Sequence, residues 1–291
     1  QEIELQLGIG MAAAAIDGYS SRESTQAFIR ATELQASPSF HGSAFAALWG
    51  RWSSSSSGAD RPGARLLARQ MIRQARRSGD PVYIQQSRFA YGVCLFWEGR
   101  FAAARSHLEF VRQSYRREQH ARHIAEFGED AGVTSAMYLS WTLWFLGDTE
   151  RAIKRCTQGI KLAQTVAHSF SEAYAHTCAA FLYCRMRLPE TALEHANCAR
   201  RLADTHGYAL WQIGSEVTRG WAMAQLGQNE GIAHIEPCVA AVREVMLGGL
   251  LSTLGPLLES NLILGHVTAA QEAYAEACAA QAMTQDHHLD A

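Results

Sequence analysis

The sequence predicts an all-α solenoid of about seven antiparallel helix hairpins with a period near 40 residues. Three observations predict it. First, a turn residue is followed five positions later by a small or apolar residue: Gly99 and Ala104, Gly147 and Ala152, Gly227 and Ile232, Gly265 and Ala270, with degenerate copies at Ala59 and Ala64 and at Arg187 and Ala192. Second, the later members of these pairs are spaced by 40, 48, 40, 40 and 38 residues, the long step absorbing a polar insertion at 117–129. Third, no strand-like alternation persists anywhere. Glycine after a helix adopts the left-handed conformation that ends it without a Cβ clash. A small residue early in the next helix lets the two backbones pack closely at the turn.

The stretch Tyr138–Leu162 shows the unit most clearly. An apolar helix with Leu139, Trp141, Leu143, Trp144 and Leu146 runs into Gly147, Asp148 and Thr149 offer caps, and Ala152 and Ile153 open the buried side of the partner helix. Hairpins are expected near 1–37, 40–79, 81–117, 130–167, 169–206, 208–247 and 249–284, as one solenoid over 1–291.

In the first, Glu2–Ala14 and Glu23–Leu34 flank a turn around Gly18–Ser21, and Ser37–Pro38 breaks the pattern. The second begins at His41 with Phe45, Leu48, Trp49 and Trp52. Ser53–Ser57 then compete for backbone hydrogen bonds, so that helix is expected to fray or to continue weakly under packing. Its partner, Pro62–Arg77, starts with proline where no donor is lost. The rest pair Tyr83–Trp97 with Phe101–Tyr115, Gly132–Leu146 with Glu150–Val166, Ser171–Met186 with Pro189–Thr205, Leu210–Leu226 with Glu230–Met246, and Leu250–Leu264, kinked at Pro256, with Thr268–Met283. A polar tail, Gln285–Ala291, follows.

The composition is that of a globular chain, 48% hydrophobic and 19% charged, with a net charge of −2 that gives no global case for nucleic-acid binding. Charge is uneven: residues 1–127 hold 16 basic and 11 acidic side chains, residues 128–291 hold 10 and 17. Seven scattered cysteines, none in a CxxC pair, read as reduced core fillers of a cytoplasmic protein. No stretch is long enough to span a membrane, and Leu7–Ile16 lacks the basic flank of a signal peptide. The chain begins with Gln1 and reads as a segment of something longer.

The copies resemble tetratricopeptide repeats: Tyr91–Gly92, Gly99 and Ala104 match in the third hairpin, and Gly220, Gly227 and Ile232 in the sixth. They depart in period, about 40 against 34, and lack the family's terminal proline. A more specific resemblance is carried by Phe96–Glu109, Glu126–Val133, Leu143–Ile153 and Gly220–Ile235, with the phrase around Gly128–Asp130–Gly132 the most distinctive. These are similar to the C-terminal helical-repeat region of bacterial multidomain regulators. In that group the repeats follow a STAND-type ATPase and a cyclase or DNA-binding domain. Ser53–Ser57 departs from the group, which is apolar there. The resemblance implies a right-handed superhelix whose first helices line a concave groove. The groove positions it projects include Phe89, Phe96, Met137, Trp141, Trp144, Tyr174, Phe181 and Trp221, suited to an apolar peptide or helix.

No catalytic signature is present: there is no GxxxxGK[ST], GxSxG or HExxH. His120 and His123, near Glu118, Glu126, Glu129 and Asp130, and the pair His287–His288 read as solvated polar segments rather than metal ligands. Arg61, Arg65, Arg69, Arg73 and Arg77, with Arg76 beside them, form a basic stripe on an outward helix face, where like charges at this spacing cost helix stability. Such a stripe could dock an acidic partner or an ATPase-domain face. The expected function is a non-catalytic protein-interaction and regulatory module without a cofactor. Its expected partner is a protein or peptide, including the parent's own ATPase domain, with nucleic acid and membrane not expected. A small-molecule sensor using the same groove is the alternative. An α/α-toroid enzyme would need paired carboxylates, for which Glu126, Glu129 and Asp130 are the only dense acidic cluster.

Overall fold

The computed structural model describes residues 2–35 and 44–290, so the Ser37–Pro38 break and the start at His41 lie outside the described residues. The hairpins are α1 (Glu2–Asp17) with α2 (Arg22–Gln35), α3 (Ala44–Ser57) with α4 (Arg61–Ser78), and α5 (Pro81–Trp97) with α6 (Phe101–Ser114). They continue as α8 (Ala131–Phe145) with α9 (Thr149–Val166), α10 (Ser169–Arg185) with α11 (Pro189–His206), α12 (Ala209–Gln225) with α13 (Gly231–Val245), and α14 (Leu250–Ile263) with α15 (Val267–Thr284). A short helix, α7 (His120–Phe127), lies between the third and fourth pairs, and there is no strand among the described residues.

The repeated turn has a local cause. Gly147 stands at φ +79°, and the Asp148 amide donates back to the Leu143 carbonyl at 2.9 Å, which closes the helix end. Asp148 is also the cap of α9, accepting from the Arg151 amide at 3.3 Å. The same backward bond recurs from Arg100 to Leu95, Leu188 to Tyr183, Gln228 to Met223 and His266 to Asn261. Arg187 takes the left-handed position without being glycine, at φ +60°. Ala104, Ala152 and Ala192 are fully buried four residues into their helices, where the paired backbones approach. The sixth hairpin departs from this pattern. Gln228 and Asn229 lengthen the turn, Ile232 is only half-buried, and the close approach is made by Gly231 on Gly220. A Cβ on Gly220 would lie 2.4 Å from the Gly231 carbonyl oxygen.

The serine run stays helical. Ser53 Oγ donates to the Trp49 carbonyl at 3.1 Å and Ser54 Oγ to the Tyr19 carbonyl at 2.9 Å, so packing and side-chain bonds hold α3 to Ser57. Likewise α14 runs through Pro256. The insertion is corrected from a solvated segment to a packed one. His123 is fully buried and hydrogen-bonds Gln85 Oε1 at 3.0 Å, and Phe127 meets Phe45, Trp49 and Tyr83 edge-on. All seven cysteines are free thiols; five are buried, Cys198 is half-buried, and Cys278 is exposed rather than core.

The array curls until its ends meet. Helix α1 packs on α12, and α3 on the turn Leu247–Gly249. At that seam Gly248 lies so close that a Cβ would sit 2.3 Å from the Gly58 carbonyl oxygen. Two apolar cores result. One is built around Phe45, Trp49, Phe96 and Leu108, the other around Met137, Trp211, Trp221 and Leu254.

Candidate functional site: an aromatic channel inside the closed superhelix

Two adjoining cavities lie inside the curl, of about 60 and about 170 Å³. They share Trp97, Trp141, Phe181 and Ser252 in their walls. The larger takes Tyr19 from the first hairpin, Arg61 from the second, Tyr138 from the fourth, Tyr174 from the fifth, Trp211 from the sixth and Thr253 from the seventh. Every hairpin therefore faces the channel. Trp141 is oriented by its indole N–H, which donates to the Cys178 carbonyl at 2.9 Å.

Of the groove positions projected from the sequence, Phe96, Trp141, Trp144, Tyr174 and Phe181 line these cavities. Phe89, Met137 and Trp221 do not. Phe89 packs among Trp49, Trp52 and Tyr138. Met137 lies under Gly159, where a Cβ would meet its sulfur at 2.6 Å. Trp221 is buried and donates to Glu259 Oε2 at 2.9 Å. Trp97, Tyr19 and Trp211 were missed. Trp97 directly follows Phe96, and a helix turns by about 100° per residue, so both edges of that pair face the interior.

The basic stripe divides. Arg69, Arg73, Arg76 and Arg77 are exposed on α4 and have no ion pair among the described residues, while Arg65 Nη1 bonds Glu98 Oε2 at 3.1 Å. Arg61 does not belong to the outer face. It is 8% exposed, lies 4.7 Å over the Trp97 ring, and donates to the Ser56 carbonyl, to the Gly248 carbonyl at 2.8 Å and to Asp286 Oδ2 at 3.4 Å. Side chains on a helix tilt toward its N-terminus, and from the first turn of α4 that direction leads to the seam.

The polar tail is corrected in the same way. His287 N–H donates to the Trp97 carbonyl at 2.8 Å, and the His288 ring rests among Phe96, Trp97 and Phe145. Asp286 and His288 are 1% and 3% exposed, so the tail covers one end of the channel. Burial holds His288 below the usual imidazole range, with Asp286 acting upward and Arg185 and Arg61 downward.

The phrase Gly128–Gly132 serves the same architecture. Gly128, at φ +73°, ends α7. Glu129 accepts from the Tyr19 hydroxyl. Asp130 caps α8 through the Val133 amide at 2.9 Å and accepts from Tyr115 at 2.7 Å, while His120 Nδ1 lies 2.8 Å from it. Gly132 admits the Tyr115 ring, which a Cβ would meet at 2.7 Å. The third acid of the cluster, Glu126, pairs with Arg122. Burial pushes the His123 imidazole down to about 4, which keeps it neutral.

The fold has solved counterparts. A Rap protein complexed with competence and sporulation factor superposes with a TM-score of 0.77 at 12% identity, over 98% of this chain and 76% of that one. The apo form of RapI superposes with a TM-score of 0.63 at 12% identity, over 98% of this chain and 99% of that one. The likeness is one of fold: a TPR-like α-solenoid. No family model and no curated protein matches the chain. No helix among the described residues is long and apolar enough to cross a membrane.

Proposed function

We propose that this chain is a regulatory module that binds a peptide in the aromatic channel and, through it, biases the conformation of the closed superhelix. The observation that carries the reading is the channel itself, walled by all seven hairpins. Its cavities are smaller than the roughly 300–1,000 Å³ of ordinary small-molecule sites. They suit anchoring side chains of a longer ligand better than a whole metabolite, which favours a peptide over the small-molecule alternative. The fold of a Rap protein, solved in complex with competence and sporulation factor, supports a bound regulator on this architecture.

The finer reading is that the chain is the cytoplasmic sensing arm of a bacterial ATP-dependent regulator. It rests on the sequence resemblance, and the exposed Arg69–Arg77 face would be the dock for an ATPase domain. The coding sequence upstream of Gln1 tests that part, and a free-standing reading frame would sink it. The channel is tested by tryptophan fluorescence with a pool of apolar pentapeptides. Saturable quenching is expected, weakened at least ~10-fold in Trp141→Ala by loss of an aromatic anchor. Absence of binding by the wild-type protein would overturn the peptide reading.

A further inference from the structure

The channel carries an imbalance of charge and of hydrogen-bonding groups. Arg61 and Arg185 line it, and no Asp or Glu does. The acids nearby are already engaged. Asp286 pairs with Arg61. Burial pushes Glu129 up to about 8, so it is mostly protonated at neutral pH. Glu259 is bound by Arg187 at 3.2 Å and by the Trp221 indole. Arg185 is left without a hydrogen bond or ion pair among the described residues. It projects from the last residue of α10 beside Gly255, where a Cβ would stand 3.9 Å from both Nη atoms, so no side chain from that position covers it. Arg185 is half-buried, and a guanidinium in such an aromatic pocket stays charged and gains from an acceptor that reaches it.

The neutral walls add to the imbalance. Trp211 and Tyr174 both line the larger cavity and are each 7% exposed; the buried indole N–H of the one and hydroxyl of the other have no hydrogen-bond partner, and Arg61 Nε is likewise unpartnered. The channel thus holds two guanidinium groups and unpartnered neutral donors, with hydroxyls among its walls but no anionic acceptor. An occupant that fits it brings apolar surface for the rings, carbonyl oxygens for the wall donors, and one anionic group of planar, two-oxygen geometry for the guanidinium.

We propose that the ligand of the channel is an apolar peptide bearing a carboxylate that seats on Arg185. This deepens the peptide-binding reading above and rests on it. The carboxylate comes from a free C-terminus or from a single Asp or Glu side chain, and the two sources are separable.

The test uses the whole chain and three N-acetylated apolar pentapeptide pools: free C-terminal acid, C-terminal amide, and C-terminal amide with one Asp or Glu. Binding is read by tryptophan fluorescence. At least one acid-bearing pool is expected to bind ~10-fold or more tightly than the neutral amide, as a charge-assisted pair implies. Arg185→Gln is expected to abolish that preference, the ratio of acid-bearing to neutral affinity falling to within ~3-fold of one. Arg185→Lys should restore it in part. Ligand-free Arg185→Gln is expected to melt at a higher temperature than wild type, because an unpaired internal charge has been removed. Equal binding of all three pools, survival of the preference in Arg185→Gln, or a lowered melting temperature of that variant overturns the proposal and leaves peptide binding standing. Binding by none of the pools overturns both.

Discussion

The Tyr19 hydroxyl donates to Glu129 Oε2 at 3.0 Å, joining residues 110 positions apart across the inside of the curl. Glu129 is 5% exposed and its other oxygen has no partner. Burial, reinforced by the neighbouring Asp130, pushes its pKa up to about 8 from 4.5. Between those values the folded chain holds a proton that the unfolded chain has released. Stability from this group is therefore greatest at low pH and falls as pH rises through that window, by up to about 1.4 kcal/mol per pH unit. Glu129→Gln keeps an acceptor for Tyr19 and removes the titration. Thermal melts of the two proteins between pH 5 and 9 should diverge, the wild type losing ground as the pH rises.

Gly248 is predicted to tolerate no side chain. A Cβ there meets two carbonyl oxygens, of Gly58 and Ser57, at 2.3 and 2.6 Å, and both belong to backbone. Gly248→Ala must push the seam apart and lose the Arg61–Gly248 bond, at a cost of about 1–3 kcal/mol. Urea denaturation should show a lower midpoint, and hydrogen exchange should speed up on both sides of the seam.

Ala167 closes α9 in the left-handed conformation, at φ +53°, where Gly79 and Gly207 close α4 and α11. Its side chain is exposed. Ala167→Gly relieves the strain at the cost of some backbone freedom in the unfolded chain, and is expected to stabilise by about 1 kcal/mol. A rise in the melting temperature checks it.

The docked tail should be sensitive to acid. The groups facing His288 are Asp286, Arg185 and Arg61, and burial outweighs the acid, so docking favours the neutral ring. Docking is thus complete above about pH 6.5, the ordinary imidazole value, and is lost as pH falls below it. Tryptophan emission should shift to the red on acidification as Trp97 and its neighbours are uncovered. In His288→Phe, which keeps the stack on Phe96, this step should be absent.

The hairpins could be read from the sequence because their rule is local: a left-handed residue, a backward hydrogen bond and a small residue in the next turn all fall within ten positions. The rule slipped by one at Ile232, where Gln228 and Asn229 lengthen the turn and Gly231 takes the close approach. The seam was not legible, because Arg61 meets Gly248 and Asp286 at separations of 187 and 225 residues, and no periodicity reports such a meeting. For the same reason Arg61 read as one more member of an outer stripe and the tail as solvent-exposed. The insertion misled by composition. Its charged residues mask His123 and Phe127, four apart, which turn one face of α7 inward. The channel was half legible: aromatic residues on the first helices were the right material, but contacts with neighbouring helices decide between wall and core, and Phe89, Met137 and Trp221 are taken up by Trp49, Gly159 and Glu259.

In an open array each repeat answers only to its neighbours, and the terminal units melt first. Here hairpin one leans on hairpin six, and the tail beyond hairpin seven is pinned under Trp97. No unit is terminal in the energetic sense. Loosening the first hairpin also strips the sixth, so partial unfolding gains little entropy before most of the chain is committed. The protein should melt as one cooperative body, with calorimetric and van't Hoff enthalpies in agreement. Whatever the channel holds is then sensed by the whole circle at once.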